Sequence, residues 1–299
     1  MRKTILLMAA AAAAGLVFGW CSRPKIALDP DSNSFYEYAR LIMTGEENDI
    51  FTHQAAAESR KEFIEEFWRK RDPDPDTEEN EFKTEFYSRI EYANKRFKEG
   101  PPGWKTDRGR IYIYMGPPDK FEEFFTHEDP NVRGPILWWI YYNYALGIEF
   151  VDERGNGTYK IREYTGDFFG ALDSFKMGNI PTEKGDKRKF ANFKLTYDRT
   201  KKEIRISIPV DVFNFRDAAG RLQAELEFQF FIYAWNGAKI EEFSRDQAFS
   251  ETQDNVLDMK EVVFTFPYAQ EANRFYLDVI VIGKDGSLGK TRKMFEIKP

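Results

Sequence analysis

Residues 34–165 predict an α+β domain of three helices plus a small antiparallel sheet, and residues 190–299 predict an all-β immunoglobulin-like sandwich. Three observations carry this. Apolar residues recur at helical spacing up to about residue 97. From there the period shortens toward two. Beyond residue 190 the chain is almost pure alternation of apolar and polar side chains. At 299 residues the chain has room for two units that each bury a core.

In order along the chain, a first helix is expected from near Ser34, with Phe35, Tyr38, Leu41 and Ile42 on one face. A second runs from Asp49 to Arg71 through Ile50, Phe63, Ile64, Phe67 and Trp68. Asp72-Pro73-Asp74-Pro75 ends it, because each proline disfavours helix in the residue before it. Asp76 or Thr77 suits the cap of a third helix, with Glu78, Glu79 and Glu81 in its acidic first turn and Phe82, Phe86, Ile90, Ala93 and Phe97 as its buried stripe. Gly100-Pro101-Pro102-Gly103 stops that helix. Four strands follow in this reading: Arg110 to Met115, Leu137 to Ala145, Gly147 to Asp152 and Gly157 to Glu163, with 152–157 as a hairpin loop.

Residues 166–189 read as a linker. In the second half, Ile204, Ile206, Ile208 and Val210 alternate with polar residues. Leu222 to Ile232, Val262 to Phe266 and Phe275 to Val281 do the same. With 191–197, 239–247 and 289–297 this makes about seven strands, the number expected of an immunoglobulin-like sandwich.

The N-terminus reads as a targeting segment. Arg2-Lys3 precede an apolar run from Thr4 to Trp20 that stops at Cys21, the one cysteine of the chain. Residues 1–21 are therefore expected to be a signal or lipoprotein leader, with 22–33 as a tether. Cys21 is the candidate lipidation site. Trp20 stands where a lipobox normally carries Gly, Ala or Ser, so an uncleaved anchor and a soluble exported form stay open beside the lipoprotein. All three export the rest of the chain, and the lipoprotein would face the periplasm or the cell exterior. One cysteine allows no internal disulfide, so packing alone must stabilise the fold. The formal charge of −6, from 44 basic and 50 acidic side chains, disfavours a nucleic-acid partner.

One run stands apart: Gly103-Trp104-Lys105-Thr106-Asp107, leading into Arg108-Gly109-Arg110. Before it come Phe67-Trp68 and Arg71-Asp72-Pro73, then Asn80-Glu81, Phe86-Tyr87, Arg89 and Ala93; after it comes Gly116-Pro117-Pro118-Asp119. In this order the motifs resemble the GWxTD-domain proteins of bacterial cell envelopes, over about residues 45–165. The resemblance implies a fold and an envelope context. It brings no catalytic assignment.

Chemistry is sparse. Two histidines in unrelated contexts, His53 and His127, build neither a metal site nor a catalytic triad. No metal and no cofactor is expected. Asp72-x-Asp74-x-Asp76 starts like a calcium loop, but Thr77 and Lys83 occupy the positions that need Gly and Glu. The candidate site is the signature turn: Gly103, which permits positive φ, with Trp104, Thr106 and Asp107, beside Arg108, Arg110 and Asp119, joined in space by Arg71 and Asp72. Two readings compete. One is a carboxylate–guanidinium pocket for an anionic or sugar ligand. The favoured one is a staple, with Trp104 under the helices and Asp107 locking the loop. The aromatic run Trp138 to Tyr144 reads as packing before it reads as a sugar platform.

The function expected from these residues is that of a non-enzymatic, anchored envelope protein for interaction or assembly, with other envelope proteins as partners and a glycan as a further possibility. The alternatives are an envelope hydrolase using Asp107 and Asp119 or a carbohydrate-binding lipoprotein.

Overall fold

The computed structural model describes residues 26–74, 77–125, 129–178, 193–284 and 286–299. The leader, the lipidation candidate Cys21, Asp76, His127 and residues 179–189 of the expected linker lie outside them. No helix among the described residues is long and apolar enough to cross a membrane.

Five α-helices precede the first strand: α1 (Pro30–Ala39), α2 (Gly45–His53), α3 (Ala57–Arg69), α4 (Glu81–Arg96) and α5 (Asp107–Met115). An antiparallel sheet follows in the order β1 (Lys120–Phe124), β2 (Ile136–Tyr141), β3 (Leu146–Val151), β4 (Lys160–Thr165), and α6 (Phe168–Lys176) closes this half. The second half contains β5 (Lys194–Asp198), β6 (Glu203–Pro209), β7 (Arg216–Ala218), β8 (Arg221–Ala234), β9 (Lys239–Thr252), α7 (Gln253–Asp258), β10 (Glu261–Pro267), β11 (Phe275–Gly283) and β12 (Thr291–Ile297). One sheet runs β10-β6-β5. The other runs β12-β11-β8-β7, with β9 also paired to β8.

Several expectations need correction. Seven α-helices, not three, occur among the described residues. The helix expected over Asp49–Arg71 is two, because Thr44 and Glu47 form a capping box that starts α2 early and the chain is extended at Gln54 and Ala56. The next helix is capped by Asn80, whose side chain accepts from the Lys83 N–H; Thr77, Glu78 and Glu79 precede it. The largest miss is Arg110–Met115, which is helix α5 and not a strand. Ile111, Ile113 and Met115 are buried and alternate with half-buried tyrosines, so the sequence mimics a strand. The helix is buried on most of its circumference, and that erases a clean polar face. The strand expected to run to Ala145 stops at Tyr141 and turns through a 3₁₀ segment, Tyr142–Tyr144. The β1 strand carries no alternating apolar pattern, and no strand was expected there.

The two sheets of the second half face each other across one apolar cluster, in which Phe228 lies 5.0 Å from Phe264 and 4.8 Å from Phe266 between ring centroids. Alternation sorts each strand. On β8, Leu226, Phe228, Phe230 and Ile232 point into this cluster, while Phe231 and Tyr233 join the core of the helical half. On β11, Leu277, Val279 and Val281 face inward, while Tyr276 and Ile280 face the helices. With Met294 of β12, five side chains of the second half thus complete the first core. Fully burying each contributes roughly 1.5–3 kcal/mol, enough to hold the halves together.

Candidate functional site

The signature turn is built by close approach. After α4 the chain returns against its own helix, and a Cβ on Gly103 would sit 1.9 Å from the Ala93 carbonyl oxygen. Gly109 lies as close to the Gly103 carbonyl. Gly103 does not have positive φ, so the expected reason for this glycine was wrong: it is required by space, not by backbone conformation. The Trp104 N–H donates to Asn94 Oδ1 at 3.3 Å. Thr106 caps α5, accepting from the Gly109 N–H at 3.0 Å while its hydroxyl donates to the Gly103 carbonyl at 2.8 Å. Trp104 is 4% exposed, packed edge-on against Tyr38 at 5.4 Å, with the Arg40 guanidinium and the Lys105 ammonium over its ring.

Asp107 ties helix to sheet. One oxygen accepts from the Ile161 N–H on β4 at 3.2 Å and the other from Arg110. Arg108 lies over the Tyr159 ring and donates to Glu99 at 2.6 Å; Glu99 in turn accepts from the Tyr159 N–H. Arg89, from the helix-borne part of the motif, donates to the Ile113 and Tyr114 carbonyls at the C-terminal end of α5.

The candidate constellation is not one cluster. Asp119 is exposed and accepts from the Tyr142 N–H at 2.7 Å. Arg71 and Asp72 do not bond to the turn. Arg71 is fully buried and grips Glu47 through both guanidinium ends at 3.0 and 2.7 Å, and it also donates to the Phe67, Ile42 and Lys176 carbonyls. The Asp72 carbonyl accepts from Lys290. Of the aromatic run, Trp139 and Tyr141 join the core, Trp138 packs on the opposite face with Val132, Ile136 and Val151, and Tyr142 is exposed. His53 donates from Nδ1 to the Asp49 carbonyl on its own helix at 2.7 Å.

Sequence reasoning missed a buried charge cluster between the halves. Arg292 of β12 donates to Asp278 of β11 at 2.9 and 2.7 Å and to Glu47 of α2 at 2.7 Å. Lys70, just past α3, reaches Asp278 at 2.9 Å and the Tyr233 hydroxyl, which donates to Glu66 at 2.6 Å. Glu47, Glu66 and Asp278 face Lys70, Arg71 and Arg292, so three buried negative charges meet three buried positive ones, with the half-buried Lys239 also paired to Glu66. Burial opposes the charge on Glu47, yet Arg71 and Arg292 hold its carboxyl well below the usual range; Arg292 and Lys70 do the same for Asp278. The available signal was Asp278 itself, one acid within the otherwise apolar run Phe275 to Ile282.

Residues 30–155 match the family model of the GWxTD domain. The chain carries a GWxTD domain. The match opens at residue 30 and not 45, which brings α1 and α2 into the domain, and it ends at 155. In the GWxTD turn of this chain the glycine is a contact with α4, the tryptophan a core ring, the threonine a cap and the aspartate a clasp on β4. No curated protein matches the chain. Among solved structures, that of red sea bream transglutaminase overlaps it at 11% identity and a TM-score of 0.21, covering 68% of this chain and 29% of that one. The chain thus spans less than a third of that protein's length, and an overlap this loose carries no argument about fold or activity.

Proposed function

We propose that this chain is a non-enzymatic interaction or assembly protein of the bacterial cell envelope, exported and held at the membrane through its N-terminus, with Cys21 as the lipidated residue. The observation that carries the reading is the engagement of the GWxTD turn in the fold. The Thr106 and Asp107 side chains of the turn are already bonded to backbone or to a neighbouring arginine. A protein that spends its signature on joining helices to sheet presents a rigid body, and rigidity suits docking. The second half is read as an immunoglobulin-like docking module. Its three strands β10-β6-β5 lie against β12-β11-β8-β9, and strands of this number with Greek-key connections favour that topology.

The rival reading, hydrolysis by Asp107 and Asp119, needs both carboxyls to face one cleft roughly 5–10 Å apart. What weighs against it is that each already accepts a backbone N–H on a different segment, Ile161 on β4 for one and Tyr142 for the other. One variant separates the readings. Asp107→Asn keeps the shape and removes a charged acceptor, so urea unfolding is expected to show a loss of about 1.5–3 kcal/mol with envelope complexes still recovered by crosslinking. A variant as stable as the parent that loses a hydrolytic activity on peptidoglycan, polysaccharide or protein would replace this proposal with the enzyme. Anchoring is tested by Cys21→Ala, which is expected to abolish fatty-acid labelling; a parent protein that takes up no label sinks the lipoprotein.

A further inference from the structure

Beside the GWxTD turn lies an open cleft of about 610 Å³, within the range of roughly 300–1,000 Å³ that small-molecule sites occupy. Its walls come from α1, α2, the turn, α5 and the end of α6. Four cationic side chains line it, Arg40, Lys105, Arg110 and Lys176, and no Asp or Glu does. On a chain of net charge −6 such a concentration is not the background composition. Only Arg110 has a carboxylate partner, Asp107; among the described residues Arg40, Lys105 and Lys176 make no ion pair.

The uncharged groups of the wall are donors too. Asn48 accepts the Tyr36 hydroxyl at Oδ1 (2.6 Å), which fixes the amide and leaves its two N–H groups without a protein acceptor among the described residues. Among the described residues the Tyr114 hydroxyl makes no protein hydrogen bond, and burial holds it above the usual phenol range although Arg110 opposes this, so it stays an O–H donor. The floor is Trp104, whose ring carries Arg40 at 5.5 Å and Lys105 at 4.8 Å and so holds both cations at the rim.

We infer that this donor-lined, acceptor-poor cleft binds a small, multiply charged phosphate-type oxyanion, either free or as part of a sugar or lipid headgroup. Three uncompensated cations call for more than one negative charge, and a phosphate group concentrates up to about −2 on a few oxygens. Arg40 supplies a guanidinium fork, Lys105 and Lys176 supply mobile point charges, and Asn48 and Tyr114 orient the oxygens. The site adds to the protein–protein role proposed above and does not depend on it. The cleft also gives the GWxTD tryptophan a second duty: it is a positioning residue for two of the binding cations.

The test is calorimetric titration of the full-length protein in non-ionic detergent. The probes are inorganic pyrophosphate for a free oxyanion, glycerol 3-phosphate, a monoester of up to about −2, for a lipid or sugar headgroup, and glycerophosphocholine as a net-neutral control. One of the two anionic probes is expected to bind, with affinity falling as salt rises, while the neutral control does not. Which anionic probe binds more tightly tells the source of the ligand. The double variant Lys105→Glu with Lys176→Glu is expected to weaken binding at least tenfold. The milder Lys105→Gln with Lys176→Gln gives the same direction if charge reversal disturbs folding. Neither anionic probe binding at millimolar concentration, the neutral control binding equally well, or undiminished binding by a folded double variant would each overturn the inference.

Discussion

Asp278→Asn is expected to destabilise the whole chain by about 3–5 kcal/mol, the effect typical of removing one partner from a buried ion pair. Asn has the same shape, so no cavity forms; what changes is that Lys70 and Arg292 lose the carboxylate that offsets their burial. Asp278 and Arg292 belong to β11 and β12, whereas Lys70 and Glu47 belong to the helical half. Far-UV circular dichroism and tryptophan fluorescence should therefore report one shifted urea transition. A loss below about 1 kcal/mol, or two separated transitions in the parent, would show that the cluster does not join the halves.

The same cluster sets the acid limb. The carboxyls of Glu47, Glu66 and Asp278 lie below their unfolded values of 4.5, 4.5 and 3.8. Their contribution is complete above those values and is lost as pH falls through the lower folded ones. Asp278→Asn should flatten this limb. On the alkaline side Lys290, half-buried and facing Arg292, is lowered to about 8 from 10.5 by desolvation and then by Arg292. Its folded value lies below its unfolded one, so it adds stability as pH rises between about 8 and 10.5, and Lys290→Met should remove that rise.

Trp104→Ala is expected to cost about 3–5 kcal/mol, the range for deleting a large buried ring. Its indole fills the space between α1 and the turn, edge-on to Tyr38. The turn cannot collapse into the vacated volume, because Gly103 and Gly109 already hold it at backbone contact with α4 and with itself. A loss under about 1.5 kcal/mol in urea unfolding would mean that the ring is not part of the core. Gly103→Ala provides the complementary perturbation, since its methyl has no room and α4 would have to shift away from the turn.

Much of the fold was legible where one face meets water. The stripe of Phe82, Phe86, Ile90 and Ala93 on α4 and the alternation along β6 and β10 each have a polar side that marks the period. Legibility failed where burial is complete. Helix α5 is buried on most sides, and periodicity carries no signal when nearly every direction is core. The turn motif was found, and its residues were read in the right neighbourhood. Their separation from Arg71 and Asp119 was not legible, because which arginine meets which acid is decided by contacts between residues distant in the chain, such as Arg71 with Glu47.

By itself the sequence determined that a GWxTD turn follows a set of amphipathic helices and precedes a β-rich second half, since these depend on local period, caps and close-packed glycines. Only the tertiary structure decided that β8, β11 and β12 turn their second faces onto the helices. It alone placed three carboxylates against three cations there and gathered Arg40, Lys105, Arg110 and Lys176 around one cleft. Charge and burial act through space, and spacing along the chain does not encode which charges will be brought within a few ångströms of each other.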